Sequence, residues 1–413
     1  MLPFEKALEI TTSSVRQLGA ERVDIVHAAN RILAEDVKSD MDTPPFSKSA
    51  MDGFACHRAD LANELTIVET ISAGYVPEKT IGPNQCAKIM TGAMVPAGAD
   101  CVVMKEYVER STPLEISPAF LISLRPVKFL TGSTEKTVRF VGEQTVDNIC
   151  RKGEDTKAGG TVLHKGAVLR PQHIAILASV GNTQPLVSKR PRVAVIATGD
   201  ELVEPMSKPG PSQIRNSNSI QLVAQVENIG AIATDYGIAK DTTCDIDSLF
   251  ERAVVENDVV ILSGGVSVGD FDLVPQILEQ HGVDLLFDRI AIKPGKPTVF
   301  GVSEQVYCFG LPGNPVATFV LFEILVKPFL YMLMGHRYRP CNIQMPMAEC
   351  IKSKKTERRR WLPVAITEAG TVKPVEYHGS AHISSLCRAD GLISMSVGVA
   401  EIEEGMTVQV RLI

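Results

Sequence analysis

The sequence predicts a multidomain protein of α/β plus β class, built around a parallel sheet with helices on both faces. Three observations predict it. Apolar strand-like runs alternate with helical segments between Pro191 and Met334. Short strand patterns broken by Gly and Pro fill residues 48–139. Helical signal nearly vanishes after Gly335. The length, 413 residues, also exceeds what a single core serves.

Taken in order, residues 3–18 carry Phe4, Ala7, Leu8, Thr11 and Val15 near a helical period, with Gly19 placed to end the helix. A short strand over residues 22–26 and a helical piece leading to Val37 follow. Pro44 and Pro45 exclude a helix interior and mark a domain crossing. Residues 65–69, 87–90 and 100–108 read as strands of a small β-rich domain. Residues 174–180 return to apolar periodicity and could pack on the first helix, which makes the first domain discontinuous and the β-rich domain an insertion. The expected division is 1–45 with 140–175, then 46–139, 176–334 and 335–413.

The central region is clearest. Residues 193–197 form a continuous apolar run, the mark of a strand buried on both faces. A helix from Asn218 ends at Gly230. A strand ending at Ile238 leads to Asp241-Thr242, a helix start. Residues 259–262 form a second buried strand, followed by Ser263-Gly264-Gly265. The helix after Asp272 ends at Gly282. Residues 306–309 form a last strand entering Leu311-Pro312-Gly313-Asn314-Pro315, where Asn314 can cap a long helix with Pro315 in its first turn. That helix is apolar, but Glu323, Lys327 and Pro328 interrupt it, so it reads as buried in protein rather than as a membrane span of about twenty apolar residues. Beyond Gly335, residues 361–367, 391–397 and 407–412 read as strands of a C-terminal β-domain.

Composition narrows the function. With 42 basic against 48 acidic residues the net charge is -6, which argues against a nucleic-acid partner while leaving local cation clusters such as Lys293 with Lys296 free to hold a small anion. The nine cysteines form no C-x-x-C pair and no zinc-ligand spacing. With no apolar leader at Met1, these features place the chain in a reducing cytoplasm.

Ligands of open parallel sheets bind at the carboxyl ends of the strands. Those ends carry Thr198-Gly199-Asp200-Glu201, Asp241, the run from Ser263 through Ser267 to Asp272, Lys293-Pro294-Gly295-Lys296, and Pro312 to Pro315. Glycines let backbone N–H groups approach an anion, helix N-termini add positive potential, and lysines supply charge. Carboxylates among such groups repel phosphate unless a divalent cation stands between them, which implies Mg²⁺. No Walker A sequence is present. Each loop alone reads equally as structure: Ser263-Gly264-Gly265 as a tight turn, Asp241 as a helix start, Asp270 and Asp272 as helix-terminal charges.

Together these residues resemble one family. Ser49-Ala50-Met51-Asp52-Gly53-Phe54-Ala55, Met90-Thr91-Gly92-Ala93, Gly153-Glu154-Asp155, Thr198 to Glu201, Ser263 to Gly269, Lys293 to Pro297 and Leu311 to Pro315, in this order and nearly end to end, are similar to the molybdopterin molybdenumtransferases, the bacterial MoeA proteins and the E domain of gephyrin. The resemblance implies four domains, with a molybdopterin-binding α/β domain and a C-terminal β-barrel, in an elongated homodimer. It implies insertion of molybdate into adenylyl-molybdopterin with release of AMP. It implies that Glu201, Asp241 and Asp272 serve the pterin and metal site, that Asp52 and Thr91 act from the partner subunit's side, and that Asp155 is a further acidic position near that interface. Ser263, Gly264, Gly265, Ser267, Lys293, Lys296, Pro312, Pro315 and Ser380 would bind substrate. Other enzymes of the same pathway would be partners; nucleic acid and membrane would not. Arg358-Arg359-Arg360 precede Trp361, where relatives can carry an arginine after the aromatic, so these arginines read as a solvated or substrate-attracting face. Cys308 and Trp361 read as packing. The rival readings are the adenylyltransferase that precedes this step, which is usually a small single domain, and a non-catalytic molybdopterin-binding scaffold.

Overall fold

The computed structural model describes residues 1–110, 137–266, 273–375 and 382–413. The chain divides into two units. Met1–Glu35, His164–Ala178 and Asn182–Ile413 form the first, and Asp36–Leu163 with Ser179–Gly181 the second.

The first unit is organised by a six-stranded sheet. Its strands are β1 (Arg192–Thr198), β2 (Ile232–Ala239), β3 (Val259–Ser263), β4 (Asp284–Arg289), β5 (Pro297–Val302) and β6 (Tyr307–Leu311), in the order β2-β1-β3-β6-β5-β4. The first four of that order are parallel; β5 and β4 join antiparallel. The wholly parallel sheet expected from the strand–helix alternation is therefore a mixed one. The reason lies in the short connections: β4, β5 and β6 follow one another without a crossover helix, and only antiparallel neighbours can be joined that way.

Side-chain alternation sends successive residues of the central strands to opposite faces. Val193, Val195, Val259, Ile261 and Phe309 pack with α1 (Asn218–Asn228) and with the long helix that begins as α4 (Pro315–Leu321). Ala194, Ile196, Val260, Leu262 and Cys308 pack with α2 (Thr243–Glu256) and α3 (Val274–Gln280) on the other. Each large side chain buried this way contributes about 1.5–3 kcal/mol. This two-sided burial is why the strands read as unbroken apolar runs. Thr242 caps α2, its hydroxyl accepting from the Asp245 N–H at 3.2 Å.

The apolar helix from Pro315 to Leu333 is 72% buried over its most apolar window. It is long and apolar enough to cross a membrane by length and composition, but here it is core. It opens with Pro315 in its first turn, although the Asn314 side chain makes no capping hydrogen bond. A π-turn, Phe322–Val326, interrupts it. Pro328 explains the widening: it lacks an N–H and its ring cannot approach the carbonyl four residues back. Glu323 and Lys327 form a largely buried ion pair at 2.7 Å, and Gln225 donates to the other Glu323 oxygen at 3.0 Å.

The N-terminal helix runs only Phe4–Ser13, shorter than its apolar period. The hydroxyls of Thr11, Thr12 and Ser14 turn back onto the carbonyls of Ala7, Leu8 and Ile10, and the Arg16 N–H leaves for the Tyr307 hydroxyl at 2.7 Å. The helical piece expected before Val37 is a single 3-10 turn, Ile25–His27, capped by Asp24 and followed by Asn30 in the left-handed region at φ 62°. After Gly335 the strands Asn342–Pro346, Arg359–Ile366, Gly391–Met395 and Thr407–Leu412 share one sheet, joined at its edge by Ile292–Lys293.

The second unit contains a six-stranded sheet in the order Cys101–Met104, Gly53–Cys56, Gln85–Ile89, Glu64–Ile71, Thr137–Phe140, Val108–Arg110. Gly53 stands where a Cβ would fall 1.9 Å from the Val103 carbonyl oxygen, so no other residue lets these two strands meet.

The Glu323–Lys327 pair gives a direct test. Glu323→Ala strands the Lys327 ammonium in the core and is expected to cost about 3 kcal/mol. Replacing both residues by apolar ones of similar volume should recover most of it. Urea denaturation of the variants measures both, and a single variant as stable as wild type would show that the pair is not buried in solution.

Candidate functional site

Three loops converge at the carboxyl edge of the sheet because their strands are adjacent: β1, β3 and β6. Gly264 sits at φ 107°, where a Cβ would lie 2.3 Å from the Thr198 carbonyl oxygen and 2.6 Å from its hydroxyl. A Cβ on Gly313 would reach within 3.7 Å of the Gly264 Cα. The Gly264 N–H donates to the Leu311 carbonyl at 3.0 Å. These glycines permit a backbone convergence that side chains would prevent. The Thr198 hydroxyl and the Asn314 side-chain oxygen are buried there without a hydrogen-bond partner in the structure, so the rim holds polar capacity that its own residues leave unused.

Asn218 ties the rim together. Its amide donates to the Ser263 hydroxyl and to the Gly313 carbonyl, both at 2.9 Å. Asn216, nearly buried, holds the turn into α1 by donating to Ser219 Oγ and accepting from the Ser219 N–H. Neither asparagine stood out in the sequence. The Asn216-Ser217-Asn218-Ser219 run reads as a helix start, and its second role depends on which loops lie beside it. The Pro312 carbonyl accepts from the Thr318 hydroxyl at 2.6 Å, which locks the entry to α4 around Pro315.

The acidic residues line the same edge. The Asp200 N–H donates to Asp241 and the Asp241 N–H to Asp200, each at 3.3 Å, so the two loops are cross-linked. Glu201 is exposed and folds its carboxylate over Gly199, whose missing Cβ would fall 2.6 Å from a Glu201 oxygen. Ser267, Asp272 and Ser380 lie outside the described residues. The donors that are described, Glu201 and Asp241, are hard oxygens of the kind Mg²⁺ takes. That ion commonly uses one or two carboxylates with substrate phosphates and waters, so no tight protein cage is required.

Cations enter from the antiparallel edge. Because β5 runs against β6, with Val299 opposite Gly310, its start at Pro297 falls beside the carboxyl end of β6. The turn before it carries Lys293 and Lys296. Ile292–Lys293 pairs with Arg359 and Arg360. Partial burial first, then the fields of Arg360, Arg358 and Lys355, pushes the Lys293 ammonium below its ordinary range. Arg359 and Arg360 are half-buried strand residues and Arg358 is half-buried in the bend before them, rather than a solvated face. Arg359 pairs with Glu5 at 2.8 Å, and the Arg360 Nε is buried without a partner. Cys308 and Trp361 are packing residues: Cys308 is fully buried, and Trp361 meets the Phe4 ring edge-on at 5.8 Å.

The second unit holds its own cluster. Thr91 donates to one Asp52 oxygen through both its N–H and its hydroxyl, each at 2.8 Å, and Lys105 reaches the other oxygen at 3.3 Å. Asp52 and Lys105 edge a cavity of about 250 Å³ with Lys88 and Met90. The donors hold the Asp52 carboxyl down at about 2, the Thr91 backbone bond contributing most. Lys105 was not legible in the sequence; it follows Met104, which pairs with Gly53, and only that register brings it to Asp52. Asp155 stands apart on the ribbon where Thr43 bridges Thr156, near Asp42 and Lys152.

The Asp52 shift is downward, so its contribution to folding is present above about pH 3.8 and is lost as pH falls through about 2. Thr91→Val removes one of the two Thr91 bonds and is expected to raise the Asp52 midpoint toward its ordinary value. Carboxyl-resolved NMR titration reads this directly, and an unchanged midpoint would remove the hydroxyl from the account.

Comparison with known proteins meets this geometry from outside. Residues 2–181 match the family model for the MoeA N-terminal region (domains I and II), residues 194–331 a probable molybdopterin-binding domain, and residues 344–413 the MoeA C-terminal region (domain IV). A molybdopterin molybdenumtransferase of Staphylococcus epidermidis is 35% identical across 94% of this chain and 90% of its own. One from Staphylococcus aureus is 34% identical across 100% and 95%. The crystal structure of a molybdopterin biosynthesis moeA protein from Pyrococcus horikoshii OT3 superposes with a TM-score of 0.82 at 28% identity, covering 100% of both chains.

Proposed function

The chain belongs to the molybdopterin molybdenumtransferase family, and from that premise we propose how its residues divide the work. The protein is a transferase of molybdenum cofactor biosynthesis that inserts molybdate into adenylyl-molybdopterin, giving the cofactor and AMP.

In our reading the rim of the first unit receives the adenylylated pterin. Backbone N–H groups of the Ser263–Gly265 turn and the entry to α4 take the phosphates. Lys293 and Lys296 hold oxyanions, either substrate phosphate or molybdate. Glu201, Asp241 and Asp272 hold Mg²⁺, which when bound offsets phosphate charge and supports departure of AMP. A water attacks the phosphorus, the phosphoanhydride bond breaks, and AMP leaves; the two dithiolene sulfurs bond to molybdenum in place of one molybdate oxygen, which departs as water with the two thiol protons. No side chain becomes a covalent nucleophile; fixed charges and dipoles stabilise the developing charge. Ser267 and Ser380 complete the substrate contacts. Asp52 and Thr91 are assigned to the partner subunit's side of a homodimeric site, with Asp155 a further acid near that interface. The working domains are 1–45 with 140–175, 46–139, 176–334 and a C-terminal barrel at 335–413. Cytoplasmic location and contact with neighbouring pathway enzymes belong to the same reading.

The observation that carries it is the convergence at one strand edge of three glycine-spaced loops, the first of them bearing Asp200 and Glu201, with the Asp241 loop and a lysine turn. Purified protein should release AMP from adenylyl-molybdopterin with Mg²⁺ only when molybdate is supplied. Lys293→Ala should lower kcat/KM for that release by about 100-fold without loss of fold. Unchanged turnover would remove Lys293 from the site.

A further inference from the structure

We propose a second metal site, for a borderline transition ion of the Zn²⁺ class, on the helical face of the first unit. It is built from Asp247 and Glu251 of α2 and His281, which closes α3. One ligand atom from each of the three lies within 4.8 Å of the others. Asp247 and Glu251 are four apart on one helix, so their carboxylates share a face. His281 comes from a different element and supplies the third corner.

The imidazole is held in place rather than loose. The backbone N–H of His281 donates to the Ile277 carbonyl and fixes the main chain at the end of α3, and the ring packs edge-on against Phe250 with centroids 5.1 Å apart. This directs Nε2 to within 2.5 Å of Asp247 Oδ1. The charge balance is also incomplete. Among the described residues, neither Asp247 nor Glu251 has a Lys or Arg within ion-pair distance, and His281 alone stands between two carboxylates. A divalent ion satisfies both acids while leaving the imidazole neutral.

The donor set selects the ion. One imidazole nitrogen with two carboxylate oxygens suits Zn²⁺, Co²⁺ or Ni²⁺, whereas Mg²⁺ and Ca²⁺ prefer oxygen alone. Three protein ligands leave a position for water, and the partial exposure of Asp247 and His281 admits it. The site ties α2 to α3, the helices that follow β2 and β3. It shares no residue with the substrate rim, so it acts on the stability of that face rather than in the transfer reaction.

The test uses the full chain stripped of metal by chelation. Calorimetric titration with Zn²⁺ should give wild type one more bound equivalent than His281→Ala, and Zn²⁺ should raise the Tm of wild type but not of this variant. Glu251→Gln keeps the Asp247–His281 contact and so keeps the fold, yet should weaken Zn²⁺ binding by at least about tenfold. Equal stoichiometry and affinity in all three proteins would overturn the assignment. Cys244 lies on the same helix and is exposed. If Cys244→Ser abolishes binding, or if Co²⁺ shows a thiolate charge-transfer band, sulfur is the ligand and the proposed donor set is wrong.

Discussion

Two-sided burial of β1, β3 and β6 is the constraint on which the rest of the first unit depends. Each strand places alternate side chains into two separate cores, so a slip of one residue would exchange both faces at once. Register is therefore fixed, and the ends of the three strands arrive at one edge at one level. The close approach of Gly264 to Thr198, and of Gly313 to Gly264, follows from that alignment. The rim is precise because the core behind it is overdetermined.

Electrostatics at the rim follows from the antiparallel edge. Had β5 run parallel, the Lys293–Lys296 turn would lie at the far end of the sheet. Its reversal delivers two ammonium groups to an edge otherwise lined by Asp200, Glu201 and Asp241. The C-terminal sheet then adds Arg359 and Arg360 in register with Ile292 and Lys293. The arrangement gathers cations at that edge, and partial desolvation, followed by like-charge repulsion, lowers the Lys293 pKa. That repulsion is strain of a kind an anion relieves on binding.

The parts legible in sequence were those written in local chemistry. Residues 193–197 and 259–262 announced buried strands by composition. Thr242 announced a helix start, and Gly230 and Gly282 helix ends, because single residues carry those signals. What sequence withheld depends on tertiary neighbours. The N-terminal helix stops early because Thr and Ser hydroxyls compete for its carbonyls and Tyr307 captures Arg16. Asn218 and Lys105 matter only through loops and strands distant in sequence. Glu201 and Asp241 are legible by strand-end position and family resemblance, Asp52 and Thr91 by family resemblance alone; the hydrogen bonds of all four depend on folded neighbours.

Asp52 shows why such a group is best explained by chemistry rather than stability. It is exposed, and exposed ion pairs add little to folding because water already solvates both partners. Yet the structure commits two donors from Thr91 and one from Lys105 to this one carboxylate, and shapes the strand behind it with a glycine that no other residue could replace. Such fixing restrains the orientation and ionised state of an acid at the mouth of a cavity. A carboxylate held rigid and charged in water does not serve a core. Under the proposed function, that charge would face a cationic or proton-donating part of a substrate assembly.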